Sequence, residues 1–292
     1  MKQERAVTFD GAPAPGTINF GVGQPSADLL PVDLLRRAAG DFLDAAQAQE
    51  LNYGERQGDV GFRQALAEFL TTGYRHPVAA DSLFVSGGSS QALDFICAQF
   101  ARPGELIYIE EPSYFLAHRI FADHRLQAVG IPVDQNGLRI DALEAELTRS
   151  HPALLYTIPA FHNPGGQSLN AERRRKLVEL SARHDFVVLA DEVYQLLHYS
   201  AEPPPALGTM IDAGNVLSLG SFSKIMAPGL RLGWIQAAEP LMVKLLGCGV
   251  VNSGGSLNHF ASQVQRHALE LGLQQQHLER LRAVYARRVE AM

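Results

Sequence analysis

Lys224 is the only lysine between Gly214 and Pro240, and the sequence around it, GSFSKIMAPGLRLGW (220–234), contains no acid. That whole span carries only two other charged side chains, Arg231 and Glu239. The remaining lysines, Lys2, Lys176 and Lys244, lie in a polar tail, an RRRK run and an amphipathic stretch, where solvation explains them. An amine set among Ser, Gly and apolar residues is in an environment that disfavours its charge, so it suits an uncharged nucleophile or an imine. Four other places could do chemistry beside it. The run Gly87-Gly88-Ser89-Ser90 joins SLFVS to QALDFICAQF. Small residues let backbone approach an anion closely, and the start of a helix supplies free N–H groups. FVVLAD ends in Asp191 with Tyr194 three residues on, and an acid closing an apolar run is costly unless a cation meets it. LLYTIPAFHNPGG carries Asn163-Pro164, and ELIYIEEPSY ends in Tyr114.

The elements that must position these residues follow from periodicity. Strand-like apolar runs occur at 82–87, 105–111, 126–133, 153–160, 185–192 and 215–221. Between them SQALDFICAQF, FLAHRIFADH, IDALEAELTR and NAERRRKLVELSARH have helical spacing, and Asn170 is the expected N-cap of the last. Apolar strands alternating with helices predict an α/β fold with a mostly parallel sheet covered on both faces. Ligands of such sheets bind beyond the carboxyl ends of the strands, where the residues above stand.

Each of them alone has a plain explanation: Tyr114 as core, Asn163-Pro164 as a turn, Asp191 as a helix cap, GGSS as a tight strand-to-helix turn. Together they meet the needs of one ligand. Pyridoxal phosphate requires an amine for its aldehyde, an acid at its pyridine nitrogen, an aromatic against its ring and donors for its phosphate.

The motifs INFGVGQPSADLLP, LNYGERQGDVGFRQAL, SGGSSQALD, EEPSYF, YTIPAFHNPGG, ADEVY and SFSKIMAPGLRLGW occur in that order along nearly the whole chain. In them the sequence resembles the class I/II aminotransferases of the fold-type-I pyridoxal-phosphate enzymes, in particular the 2-aminoadipate and kynurenine-type branch. The resemblance implies a mixed, mostly parallel sheet sandwiched by helices. It implies Lys224 as Schiff-base lysine and general base, and Asp191 at the pyridine nitrogen. Asn163 and Tyr194 are implied on the ring hydroxyl and Tyr114 on the ring face. Ser89, Ser90, Ser221 and Arg231 are implied on the phosphate, Tyr53 on the phosphate of a neighbouring subunit, and Gly23 and Asn163 beside the substrate. The expected activity is amino transfer from an amino acid to a 2-oxo acid by ping-pong kinetics, in a cytoplasmic homodimer. Alternatives are a cofactor-binding protein with little transaminase activity and another enzyme of the same fold, such as a lyase.

The same resemblance divides the chain into an N-terminal arm and start of a small domain (1–45), a large cofactor-binding domain (46–255) and helices leading to a small domain (256–292). The helical stripe Leu278, Leu281, Tyr285 and Val289 runs to Met292 without a stop signal. The expectation is that most of the small domain, with the arginine that grips the substrate carboxylate, is missing and that the stripe is partly uncovered.

Other classes find less support. A net charge of −6, with 46% hydrophobic and 19% charged residues, makes no electrostatic case for nucleic acid or an anionic membrane. No apolar run reaches membrane-spanning length, Cys97 and Cys248 form no CxxC pair, and the ten histidines lack metal-ligand spacing. Ser221-Phe222-Ser223-Lys224 satisfies SxxK, yet the SDN and KTG strings of serine β-lactamases do not occur. GVGQPS lacks the third glycine of a dinucleotide loop. Some regulators place this fold behind a DNA-binding module. Here the chain starts at the family's own N-terminal arm, so the expectation is an enzyme.

Overall fold

The computed structural model describes residues 23–292. Eight strands form one sheet: β1 (Leu83–Ser86), β2 (Leu106–Glu111), β3 (Gln127–Asp134), β4 (Gly137–Leu138), β5 (Pro152–Thr157), β6 (Val187–Asp191), β7 (Val216–Ser221) and β8 (Gly233–Ala237). Their spatial order is β1-β8-β7-β6-β5-β2-β3-β4. Strands β7, β6, β5, β2 and β3 run parallel, while β8 lies antiparallel between β1 and β7. The six runs named from sequence therefore supply β1, β2, β3, β5, β6 and β7, and the expectation of a mostly parallel, mixed sheet holds.

Strands β4 and β8 were not among those runs. The five residues of β8, GWIQA, follow a Gly/Pro-rich turn with no alternation to mark them. Its place depends on two glycines. A Cβ on Gly220 would lie 2.0 Å from the ring of Trp234, and one on Gly233 would lie 2.5 Å from the carbonyl oxygen of Gly220. Both distances are far inside van der Waals contact, so only glycine lets these strands pair with the indole between them.

Helices α3 (Ser89–Phe100), α4 (Phe115–Asp123), α5 (Ile140–Leu147) and α6 (Ala171–His184) connect the parallel strands. Asn170 caps α6 as its sequence requires, its side chain accepting from the Arg173 N–H at 2.9 Å. The two faces of the sheet form separate cores. On one, Phe84, Phe95, Phe121 and Tyr156 pack under α3 and α4. On the other, Tyr108, Leu155, Val188 and Phe186 pack under α5 and α6.

A third core ties the beginning of the described chain to its end. Helices α1 (Val32–Ala45), α2 (Val60–Tyr74), α9 (His259–Glu270) and α10 (Leu273–Glu290) meet there with β1 and the residues after β7. Ala38 and Phe42 of α1 share it with Phe62, Phe222, Trp234, Val264 and Leu278. The stripe on α10 is partly uncovered, as expected. Leu278 is buried in this core, Leu281 is buried as well, Tyr285 is half-buried, and Val289 is exposed. Short helices α7 (Glu239–Leu246) and α8 (Gly249–Gly254) complete the order. Among the described residues no helix is long and apolar enough to cross a membrane.

Candidate active site

Five strand ends bring the site together, since β1, β2, β5, β6 and β7 all finish on one rim. Strand β6 ends in Asp191, and the turn after β7 carries Lys224. The loop after β5 carries Asn163, the loop after β2 carries Tyr114, and β1 runs through Ser86-Gly87-Gly88 into α3.

Asp191 is 5% exposed. Its Oδ2 accepts the hydroxyl of Tyr156 at 2.8 Å, and among the described residues its buried Oδ1 has no hydrogen-bond partner. Burial raises its pKa from 3.8 to about 6, against the opposing pull of the Tyr156 hydroxyl, the Val193 N–H and the Lys224 charge. Burial also lowers the pKa of Lys224, and the nearby Asp191 carboxylate resists that shift. The lysine has no acid near it in sequence, but in space it has one. Burial still outweighs the pairing, so the amine is more easily neutral than a surface lysine. Its Nζ donates to the carbonyl of Gly23, which brings the N-terminal end of the described chain to the site.

Two tyrosines share this space. Burial is the main cause of the raised pKa of Tyr194, followed by Asp191, while a hydrogen bond from Asn163 works the other way. Tyr114 precedes α4, is half-buried, and has its pKa raised by burial and then by Asp191. Both phenols are therefore protonated hydrogen-bond donors at neutral pH.

The anion cradle is built differently from its sequence reading. Helix α3 begins at Ser89, one residue before the helical run SQALDFICAQF, with Gly88 as an N-cap that supplies no side chain. The first-turn N–H groups are thus left to an incoming acceptor. Gly88 has a φ of +88°, and Arg231 lies against it: Nη2 is 3.4 Å from the Gly87 carbonyl oxygen, and a Cβ on Gly88 would come 3.0 Å from Nη2. Ser90 is exposed and Ser89 half-buried beside this turn. Ser221 is 2% exposed. Its hydroxyl bonds to that of Ser223 at 2.9 Å and receives the Ser223 N–H at 3.1 Å, so it shapes the turn that carries Lys224.

Tyr53 does not join its own chain's cluster. It is 86% exposed, and its side chain makes no hydrogen bond among the described residues. Sequence reading also passed over Tyr156, Glu110, His162 and Ser223. A tyrosine or glutamate in an apolar strand gives no local sign that its polar end meets a neighbour on the next strand.

These residues fit pyridoxal phosphate. A buried carboxylate oxygen without a donor suits a cationic ring nitrogen, the uncapped helix start with Arg231 suits a dianionic phosphate, and a partly desolvated amine suits an aldehyde. Fold and site together define a fold-type-I pyridoxal-phosphate protein. The family model described as "Aminotransferase class I and II" matches residues 15–290, and the chain belongs to that family.

An aromatic-amino-acid aminotransferase of Thermococcus litoralis is 34% identical over 94% of this chain and 67% of its own length. Among solved structures, the α-aminoadipate aminotransferase of Thermus thermophilus, complexed with N-(5'-phosphopyridoxyl)-L-leucine, matches with a TM-score of 0.82 and 29% identity. That match covers 93% of this chain and 69% of that one. A relative from Bacillus subtilis named as an uncharacterized HTH-type transcriptional regulator is 31% identical over 84% of this chain. The chain spans about two thirds of the length of these aminotransferases and 50% of the regulator.

Proposed function

We propose that this chain binds pyridoxal phosphate on Lys224 and transfers amino groups between amino acids and 2-oxo acids with ping-pong kinetics. The observation that carries the reading is the buried Oδ1 of Asp191, left without a donor in the space it shares with Lys224. When bound, the cofactor supplies an electron sink for the bonds around the substrate Cα.

The protein residues do the rest. Asp191, ionised opposite a ring N–H, holds the proton on that nitrogen. Asn163 and Tyr194 donate toward the ring oxygen, and Tyr114 covers the ring. Arg231 with the first turn of α3 fixes the phosphate, Ser89 and Ser90 adding hydroxyls and Ser221 acting through the turn it shapes. Lys224, its pKa lowered by burial, would accept the substrate Cα proton at Nζ and return it later. Gly23, whose carbonyl touches that Nζ, is the proposed neighbour of the substrate carboxylate.

Exposed Tyr53 is suited to reach a second subunit, so the assembly is a homodimer with two-fold symmetry. A cytoplasmic location, the three-part domain division and a role free of nucleic acid belong to the same reading. The similarity to a regulator favours a second reading, a cofactor-binding module without turnover.

Borohydride reduction of the loaded protein and peptide mapping test the first step, and a pyridoxyl group is expected on Lys224. A label on Lys176 or Lys244 overturns the assignment. Single-turnover spectra with an amino acid then separate the two readings: conversion to the aminated cofactor supports the transaminase, and binding without conversion supports the module.

A further inference from the structure

Asn163 is half-buried at the base of an exposed loop tip, and its proposed task needs an amide held still. Pro164, Gly165 and Gly166 beside it are exposed, whereas His162 just before it is 3% exposed. The neck of the loop closes on that histidine. The His162 N–H donates to the Gln167 carbonyl at 2.8 Å, the Gly166 N–H donates to the His162 carbonyl at 2.6 Å, and the Gly165 N–H donates to His162 Nδ1 at 3.1 Å.

Because Nδ1 accepts, the ring proton belongs on Nε2. That nitrogen lies 3.2 Å from Oε2 of Glu110, off the line of an ideal bond, and no other acceptor reaches it among the described residues. Glu110 is 1% exposed at the end of β2, where it takes the Thr157 hydroxyl at 2.9 Å and the Ile158 N–H at 2.8 Å. A carboxylate so deeply buried is costly; two donors bond it, and the His162 Nε2 stands 3.2 Å away as a close polar neighbour. The pair thus links the ends of β2 and β5 to the loop that presents Asn163.

We propose that Glu110 and His162 are positioning residues: through the His162 ring they hold the Asn163 amide in place against the cofactor's ring oxygen and Tyr194. The inference rests on the pyridoxal-phosphate reading. It makes the buried pair part of the site's electrostatics and not only of the fold.

The experiment titrates the visible absorbance of the loaded holoenzyme with pH in wild type, Glu110→Leu, Glu110→Gln and His162→Phe. A hydrogen bond donated by Asn163 to the ring oxygen draws charge from the neighbouring Lys224 nitrogen, so a loosened loop leaves that nitrogen more basic. Glu110→Leu and His162→Phe are expected to raise the midpoint by about one pH unit, the size of one hydrogen bond to a charged group. Glu110→Gln, which keeps an acceptor for Nε2–H, is expected to stay at the wild-type midpoint. If one loss variant does not fold, the other decides. Lower melting temperatures with unchanged midpoints overturn the proposal and leave the pair a structural role alone. Absence of any cofactor absorbance in wild type instead overturns the cofactor reading on which it rests.

Discussion

Burial of the Asp191 carboxyl destabilises the cofactor-free protein in a way that pH can reveal. The carboxyl titrates near 6 when folded and near 3.8 when unfolded, a difference of about two units caused chiefly by burial. At about 1.4 kcal/mol per unit, ionising Asp191 in the folded state costs about 3 kcal/mol. Between pH 4 and 6 the folded chain holds more of this proton than the unfolded one. The group's contribution is therefore fully present below about pH 4 and is lost as pH rises through about 6. Asp191→Asn removes the titration. The amide oxygen can still accept from Tyr156, while the NH2 left at the Oδ1 position costs about 1–3 kcal/mol at every pH. Urea unfolding of both cofactor-free proteins from pH 4 to 7.5 should show the stability difference moving toward the variant by about 3 kcal/mol across the window. Taking the difference cancels carboxylates with the opposite slope, such as Asp134, whose pKa is lowered by the hydrogen bond from Arg173. With pyridoxal phosphate bound, the ring N–H meets Oδ1 and the slope should vanish. A flat difference in the cofactor-free proteins, or one favouring wild type as pH rises, would refute the argument.

Three further outcomes are expected. Arg231→Ala should weaken cofactor affinity about 10- to 100-fold, the loss of one charge-assisted contact of about 1.5–3 kcal/mol, and equilibrium dialysis giving an unchanged Kd would remove Arg231 from the phosphate site. Gly88→Ala forces a side chain onto a φ of +88° and against Arg231. It should lower stability by about 1–3 kcal/mol and reduce cofactor binding as well, and a variant that binds as tightly as wild type would show that the turn cradles nothing. Leu281→Ala, at a fully buried position of α10, should cost about 2–5 kcal/mol in chemical denaturation, and a loss below about 1 kcal/mol would mean that α10 is peripheral to the core.

Much of the fold was readable because apolar strands between helical stretches leave a pattern that local sequence carries. Six strands, the cap at Asn170 and the alternation that makes a parallel sheet needed no tertiary knowledge. The residues with chemistry were equally visible, because a lone lysine in apolar surroundings and an acid closing an apolar strand are anomalies in one dimension. Strand β8 was not visible, since its antiparallel place between β1 and β7 is set by Gly220 and Gly233 making room for Trp234. Nor was the burial of Leu278, which shares a core with Phe42 and Phe62 of helices about 200 residues earlier in the chain.

For the site, residue order alone reveals which groups are present and on which strand ends they stand. Their protonation and their partners come from the folded arrangement. Burial and charge act across space: Asp191 reaches Lys224 from another strand, Tyr156 occupies one of its oxygens and leaves the other free, and Glu110 finds His162 fifty-two positions away. The desolvation that shifts a pKa is a property of the surrounding volume, and no stretch of sequence encloses that volume on its own.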